Sequence, residues 1–420
     1  MKVGFISQWY PPENIWVPKS VVDALRRFGH DVTVVTGTPH YPTGTVAEGY
    51  SAYRYSQDAI DEVKIIRSPE YPYRGTGVLG RFAGYASFAL SSCIASFRHL
   101  RDSDLIIVYA SPATSAVPAM ALSAMARVPF ILQVQDIWPD SVTDSGFITR
   151  TLLAKTVQLA LTALVRASYR MASEIIVISE GAKRLLVSRG VPAEKVTVVY
   201  NWVADPAERP IEPAEPISLR QLIDAKPDDR VFLYAGALGK AQDVGTIISS
   251  FKAAKISPRA RLVVVGSGVE KEPIQALAEE VPGAHVLDQV DLFTAAAWTT
   301  EADFGIVSLT NTPLHNATFP SKIQFLCGLS TPLLVRAPGE ASSFVNETGA
   351  GIGVAEAGTK TLANLFQQLA ETPVEEIQRM SANARRSYET YFGIDSGSKA
   401  LSQVIDRMAV QTPRARFCYD

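Results

Sequence analysis

Two series of short apolar runs, parted by one proline-rich break, limit what this chain can become more than any other feature. The first series is KVGFIS (Lys2–Ser7), DVTVVTG (Asp31–Gly37), DLIIVYAS (Asp104–Ser111), PFILQVQD (Pro129–Asp136), EIIVIS (Glu174–Ser179) and KVTVVYNW (Lys195–Trp202). Their cores are apolar on consecutive residues, so both faces of each strand must be covered. Between them lie stretches long enough for helices. In SVVDALRRFGH, Val21, Leu25 and Phe28 fall on one helical face, and Gly29 suits a C-terminal cap. Strands alternating with helices predict a parallel sheet with helices on both faces.

The break is ADPAERPIEPAEPISL (Ala204–Leu219), with four prolines and four acidic residues, and it reads as a linker. The pattern then restarts with RVFLYAGA, ARLVVVGSG, AHVLDQV, ADFGIVSLT, TPLLVRA and AGIGVAE. The expected class is therefore α/β, with two Rossmann-like, doubly wound parallel-sheet domains at 1–203 and 220–385. The linker is expected at 204–219. A closing helix at 386–410 is expected to pack back on the first domain. In such sheets ligands bind outside the carboxyl ends of the strands, and two such domains predict a site in the cleft that they face.

Composition excludes several function classes. The 420 residues are 47% hydrophobic and 20% charged, with a net charge of −2, which is ordinary for a globular protein and lacks the basic footprint of nucleic-acid binding. Cys93, Cys327 and Cys418 match neither a metal spacing nor a disulfide framework, so a reducing cytoplasmic setting is expected. Neither a signal peptide nor an apolar run long enough to span a membrane is visible.

Three stretches in the second half carry chemistry. YAGALGKAQDVGTII places Gly236 and Gly239 in a loop between a strand and a helix, where backbone N–H groups and the helix dipole suit a diphosphate; Lys240 and Gln242 add side-chain contacts. Such a turn also serves plain loop geometry. VVVGSGVEKEPI places Gly266 and Gly268 at a similar strand end but lacks the third glycine of a dinucleotide fingerprint. FPSKIQFLCG puts Ser321 and Lys322 at a helix start behind Pro320, which suits an anion equally well as a capped, solvated lysine.

In the first half, Asp136 ends a buried strand, where a carboxylate can orient a sugar hydroxyl, act as a base or simply cap a turn. Trp138 and Pro139 beside it predict a defined loop. The Asp-x-Asp of RDSDL precedes its strand, the wrong end for a metal–diphosphate, and the five histidines form no metal pair. Two apolar stretches, Gly80–Arg101 and Thr149–Ala172, carry Arg81, Arg98, Arg101, Arg150, Lys155, Arg166 and Arg170. Basic amphipathic helices of this kind lie on a membrane surface or pack on the sheet with a solvated face.

Taken in order, QWYPPE, GHDVTVVTGTPHYPTG, QDIWPDS, VISEGAKRLLVSRGVPAEKVTVVYNW, YAGALGKAQDV, VVVGSG, EADFGIVSL and FPSKI resemble the retaining glycosyltransferases of the GT4 family, which have the GT-B fold. Within it they are similar to bacterial exopolysaccharide and O-antigen enzymes of the colanic-acid and N-acetylfucosamine transferase type. The resemblance covers nearly the whole chain. It implies no resident cofactor and no metal. A nucleotide-diphosphate sugar, with a UDP-sugar expected, would be bound by the second domain. The acceptor, a saccharide often lipid-linked, would be bound by the first at the cytoplasmic membrane face. The implied catalytic residues are Asp136 and Lys322. The implied donor-side residues are Gly236, Gly239, Lys240, Gln242, Gly266, Gly268, Gln289, Asn316, Ser321, Phe325 and Glu340, and Glu13, His40 and Trp138 would stand on the acceptor side.

The chain departs from the family at two places. The first loop, PPENIWVPKS, has no glycine. The family's two glutamates are replaced by Ala317 and Phe325, or by Asn316 and Gln324 if the register shifts by one. Aligning on Lys322 expects Phe325 to face the nucleoside, with Asn316, Gln289 or Glu340 as candidates for the ribose hydroxyls. Two competing readings remain: a sugar-nucleotide epimerase, whose cleft carboxylates and histidines are not found, and a catalytically silent subunit that binds an active transferase.

Overall fold

The computed structural model describes residues 1–411 except 14, 42, 74, 76, 139, 141–151, 209–216 and 257–258. Pro139, Arg150, Cys418, the side chain of Lys155 and the middle of the expected linker lie outside the described residues. The chain forms two compact units. One is Met1–Tyr200 with the chain from Ser398 onward, and the other is Asn201–Gly397.

The first unit holds an eight-stranded sheet made of β1 (Lys2–Ile6), β2 (Asp31–Thr36), β3 (Ser56–Ile60), β4 (Val63–Arg67), β5 (Leu105–Tyr109), β6 (Phe130–Val134), β7 (Glu174–Val177) and β8 (Val196–Val198). The order is β3-β4-β2-β1-β5-β6-β7-β8. The expected parallel sheet gains one antiparallel edge, the β3–β4 hairpin. Its two turn residues, Asp61 and Glu62, are both left-handed, at φ 50° and 64°. Such turns favour Asn-Gly, so an Asp-Glu pair gives no turn signal in the sequence. The helix Trp16–Arg27 supplies compensating cations: Lys19 pairs with Asp61 at 3.0 Å and Arg26 with Glu62 at 3.2 Å.

The second unit holds β9 (Arg230–Ala235), β10 (Ala260–Val265), β11 (Ala284–Leu287), β12 (Phe304–Ser308), β13 (Leu333–Arg336) and β14 (Gly351–Val354). The order is β11-β10-β9-β12-β13-β14, and every neighbouring pair is parallel. Phe232 on β9 stacks on Phe304 of β12 at 5.4 Å and meets Phe366 edge-on at 5.0 Å. All three rings are fully buried, each contributing about 1.5–3 kcal/mol relative to exposure. The helix Val244–Ala254 buries Ile247, Ile248, Phe251 and Ala254 on one face. The winding reverses between β9 and β12 here, and between β1 and β5 in the first unit, so the carboxyl ends of these strands open the crevices where ligands bind.

The boundaries differ from the expected ones at both ends. The second unit begins at Asn201 because the chain on either side of the expected boundary is held within it: the Tyr388 hydroxyl donates to Val203 O at 2.8 Å, and Arg385 pairs with Asp205. The closing helix is Ile394–Gln411 and rejoins the first unit only from Ser398, while Val374–Ser387 belongs to the second.

Candidate functional site

Strand β9 ends at Ala235, and the backbone turns at Gly236 with φ 144°. The left-handed φ favours glycine there, and a Cβ would stand 2.5 Å from both Cε and Nζ of Lys322, so a side chain would push that ammonium out of its place. Lys322 is the second residue of the helix Ser321–Gly328, which is seated by the buried Ile323, Leu326 and Cys327. Its Nζ lies 3.8 Å from the centroid of the Tyr234 ring. Tyr234 is itself fixed, its hydroxyl donating to Ala237 O at 2.6 Å. Burial lowers the Lys322 pKa to about 8, and no carboxylate is among the causes that shift it. An ammonium that is partly dehydrated and rests on a ring face favours an incoming anion.

Around Lys322 the helix start has no side-chain cap, and Ser321 is exposed. Gln324 is buried (4% exposed), whereas Phe325 is half-buried and lies three residues from Lys322, on the same side of the helix.

The glycines of the neighbouring loop have a different reason. Cβ atoms at Gly266 and Gly268 would meet Gly236 O at 1.9 Å and Leu238 O at 2.2 Å, so both serve the close packing of one loop on the other. Leu238 N donates to Ser267 O at 2.8 Å and Glu270 N to Leu238 O at 3.0 Å across that contact. Gln242 turns inward, its Oε1 accepting from Gly239 N at 3.2 Å, while Lys240 is exposed. Ser267 donates to the side chain of Gln289. The Asn316 amide donates to Asn311 Oδ1 and Thr312 O, both at 2.9 Å. Glu340 opens the helix Glu340–Thr348.

Sequence reasoning missed Arg336. From the end of β13 it reaches Asp243 at 3.0 Å, Ser308 Oγ at 3.3 Å and Ala357 O at 3.1 Å. It thereby neutralises the carboxylate at the start of the helix Val244–Ala254 and ties together the strand ends on this side. The only signal in the sequence was a lone arginine closing the apolar run TPLLVRA.

In the first unit, Asp136 is exposed just beyond β6, with Oδ2 accepting from Ser111 Oγ at 2.7 Å just beyond β5. Beside it runs an aromatic row: Trp138 to Tyr85 (5.9 Å), Tyr85 to Trp9 (6.4 Å) and Trp9 to Tyr41 (4.8 Å). Glu13 is engaged by the main chain, accepting from the N–H groups of His40 (3.0 Å), Tyr41 (2.8 Å) and Tyr10 (3.1 Å). Burial nonetheless raises its pKa, with those three bonds opposing. His40 Nδ1 lies 2.8 Å from Thr38 O and 3.3 Å from Glu70, a buried carboxylate absent from the sequence reading. The Asp102–Asp104 pair stands at the amino end of β5, where Asp104 accepts from Lys2 N at 2.7 Å. Among the described residues no group of three or more His, Cys, Asp or Glu side chains is arranged to hold a metal ion.

Comparison with known proteins assigns both units. Residues 17–202 match the glycosyl transferase 4-like domain, and residues 218–387 match the glycosyl transferases group 1. WcaI of Escherichia coli K12, named as a glycosyl transferase of colanic acid biosynthesis, is 27% identical over 284 residues, 67% of this chain and 69% of WcaI. The Anabaena protein HepE, solved in complex with UDP, superimposes with a TM-score of 0.65 at 15% identity over 97% of this chain and all of HepE. Sucrose-phosphate synthase of Thermosynechococcus elongatus gives a TM-score of 0.71 at 17% identity over 98% of this chain and all of its own.

The geometry at Lys322 yields a test that needs no substrate. Between the folded pKa of about 8 and the unfolded value of about 10.5, the unfolded chain binds more protons, so stability rises with pH across that window. Below it, the buried charge costs stability in the ligand-free protein. Lys322→Met should therefore leave the Tm at pH 7 unchanged or raise it, while weakening calorimetric binding of pyrophosphate by roughly 10-fold or more, the size of a lost charged hydrogen bond. Equal pyrophosphate affinity, or a clear fall in Tm, would contradict this account of the lysine.

Proposed function

Because the chain belongs to the GT4 family of glycosyltransferases, with the GT-B fold, we propose that it moves a sugar from a UDP-sugar to a saccharide acceptor carried on a polyprenyl diphosphate, in surface polysaccharide assembly. The observation that carries this reading is Lys322, which rests on the Tyr234 ring with no carboxylate among the described residues shifting it, beside Gly236 at the carboxyl end of the central strand β9. The diphosphate would take the place of the Tyr234 ring as partner of the ammonium. Lys240, on the rim of the same loop, would add a second cation. As the bond from sugar to diphosphate breaks, charge builds on the leaving group, and fixed cations and N–H groups stabilise it without reorganising. UDP is the nucleotide held by HepE, and WcaI is named for polysaccharide synthesis, which supports both the donor class and the setting.

The finer points belong to the same proposal. Asp136 has one carboxylate oxygen engaged by Ser111 and would offer the other to a sugar hydroxyl. Phe325 would pack on the nucleoside, taking over part of what a glutamate does elsewhere in the family. Retention of the anomeric configuration and independence of a metal complete the reading, the latter because Lys322 and Lys240 neutralise the diphosphate directly. Calorimetry should find UDP bound in preference to GDP and equally well with EDTA. Affinity should fall as pH rises through about 8, where Lys322 loses its proton, and Phe325→Ala should weaken it. Binding that requires Mg²⁺, or no nucleotide binding at all, would defeat the proposal.

Contact with the membrane surface is proposed from the helix Val78–His99. Leu90, Ile94 and Phe97 are exposed along one side of it, next to exposed Arg98, His99 and Arg101. No helix among the described residues is long and apolar enough to cross a membrane. Apolar side chains with adjacent cations suit a peripheral site on the anionic cytoplasmic face. The protein should sediment with phosphatidylglycerol vesicles at low salt and be released at high salt, and Ile94→Glu should weaken this binding. Identical behaviour with zwitterionic vesicles, or no binding to either, would count against the site.

A further inference from the structure

Resting on the transferase reading above, we propose that Glu70 positions His40 so that the ring's Nε2 meets a hydroxyl of the acceptor sugar. The carboxyl ends of β1, β2 and β4 converge here. Glu70 lies three residues past β4, and none of its side chain is exposed. Its Oε2 accepts from Gln8 Nε2 at 2.9 Å, just past β1, and its Oε1 stands 3.3 Å from His40 Nδ1. Gly37, just past β2, makes room for it, since a Cβ there would come within 2.1 Å of Oε1. Thr38 O lies 2.8 Å from the same ring nitrogen. The Thr38 carbonyl can only accept, so Nδ1 carries the proton, with the Glu70 carboxyl group beside it and Nε2 left to a ligand. The main chain of His40 is held independently by Glu13.

The surroundings select the ligand. Among the described residues Gln8 Oε1 and Trp9 Nε1, like Glu70 Oε1, are buried without a hydrogen-bond partner, and Gln8 is only 2% exposed. Beside them the Trp9–Tyr41 ring pair leaves Tyr41 46% exposed. A pyranose supplies what these groups lack: hydroxyls that both donate and accept, and an apolar ring face for an aromatic wall. A diphosphate would instead bring negative charge toward the carboxyl groups of Glu70 and Glu13, whose charges act on His40. Burial by itself would lower the histidine pKa. The neighbouring Glu70, with Glu13 adding its charge, outweighs it and raises the pKa to about 9; burial pushes the Glu70 carboxyl itself up to about 7, so its charge is complete only above that. Nε2–H therefore donates at neutral pH, and above about 9 the neutral ring can only accept there, so the donated, charge-assisted hydrogen bond is lost.

The test uses the full chain, UDP-[¹⁴C]hexoses as donors and octyl α- and β-pyranosides as soluble acceptors. Glu70→Gln keeps the size of the side chain and removes its charge. Its acceptor KM should rise roughly 10-fold or more with UDP affinity unchanged, and the alkaline limb of kcat/KM for the acceptor should move from about 9 toward the ordinary histidine value, ~6.5. His40→Gln should show the same rise in KM with that limb abolished, and it provides the readout if Glu70→Gln does not fold. A wild-type KM and limb in the variants, or an equal loss of UDP affinity, would overturn the proposal. A chain that binds UDP yet glycosylates no pyranoside would overturn the sugar hydroxyl assigned to His40. Failure to bind UDP would sink the transferase reading instead.

Discussion

A partly dehydrated ammonium resting on a ring face, with no carboxylate among the described residues shifting it, is the interaction on which the second unit turns. Placing Lys322 over Tyr234 costs solvation that the cation–π contact only partly offsets. A protein built for stability alone would give that lysine a carboxylate or leave it in water. Here the sheet topology leads to the reason. Tyr234 and Gly236 close the strand at which the winding reverses, and the helix Ser321–Gly328 delivers Lys322 to the same strand end. Arg336 neutralises the nearby carboxylate of Asp243, so that the helix beginning at Val244 does not meet an anion with an uncompensated negative charge there.

The first unit solves the opposite problem. Its strand ends gather carboxylates: Glu13, Glu70 and Asp136. Two are buried and engaged by main-chain N–H groups, Gln8 or His40, and the third is exposed and half satisfied by Ser111. An aromatic row runs beside them. Hydroxyl-rich ligands suit that mixture, and a diphosphate does not. The two units share an architecture and differ in the sign of the charge that these groups offer, as the proposed phosphate-bearing donor and sugar acceptor would require.

How much of this was legible in the sequence follows from range. The strands showed because a strand covered on both faces must be apolar at every position, a property of consecutive residues. Lys322 and Gly236 showed because strand ends and helix starts carry local signals. The β3–β4 hairpin did not, since its left-handed turn is made by Asp61 and Glu62 and steadied by a helix some 35 residues earlier in the chain. Glu70 was equally invisible: its partners Gln8 and His40 lie 62 and 30 residues away, and SPEYPYRG reads as a polar loop. Gly266 and Gly268 carried the right letters for a ligand loop, yet the contact that requires them is another loop's backbone. Residue type can announce close approach without saying what approaches.

The most direct test of the central claim is a crystal structure of the chain with UDP bound. The account expects a diphosphate oxygen at charge-assisted hydrogen-bond distance from Lys322 Nζ, about 2.7–2.9 Å, with the ammonium drawn away from the Tyr234 ring and the phosphates lying against the backbone at Gly236. UDP bound elsewhere on the second unit, with Lys322 still resting on Tyr234, would contradict it.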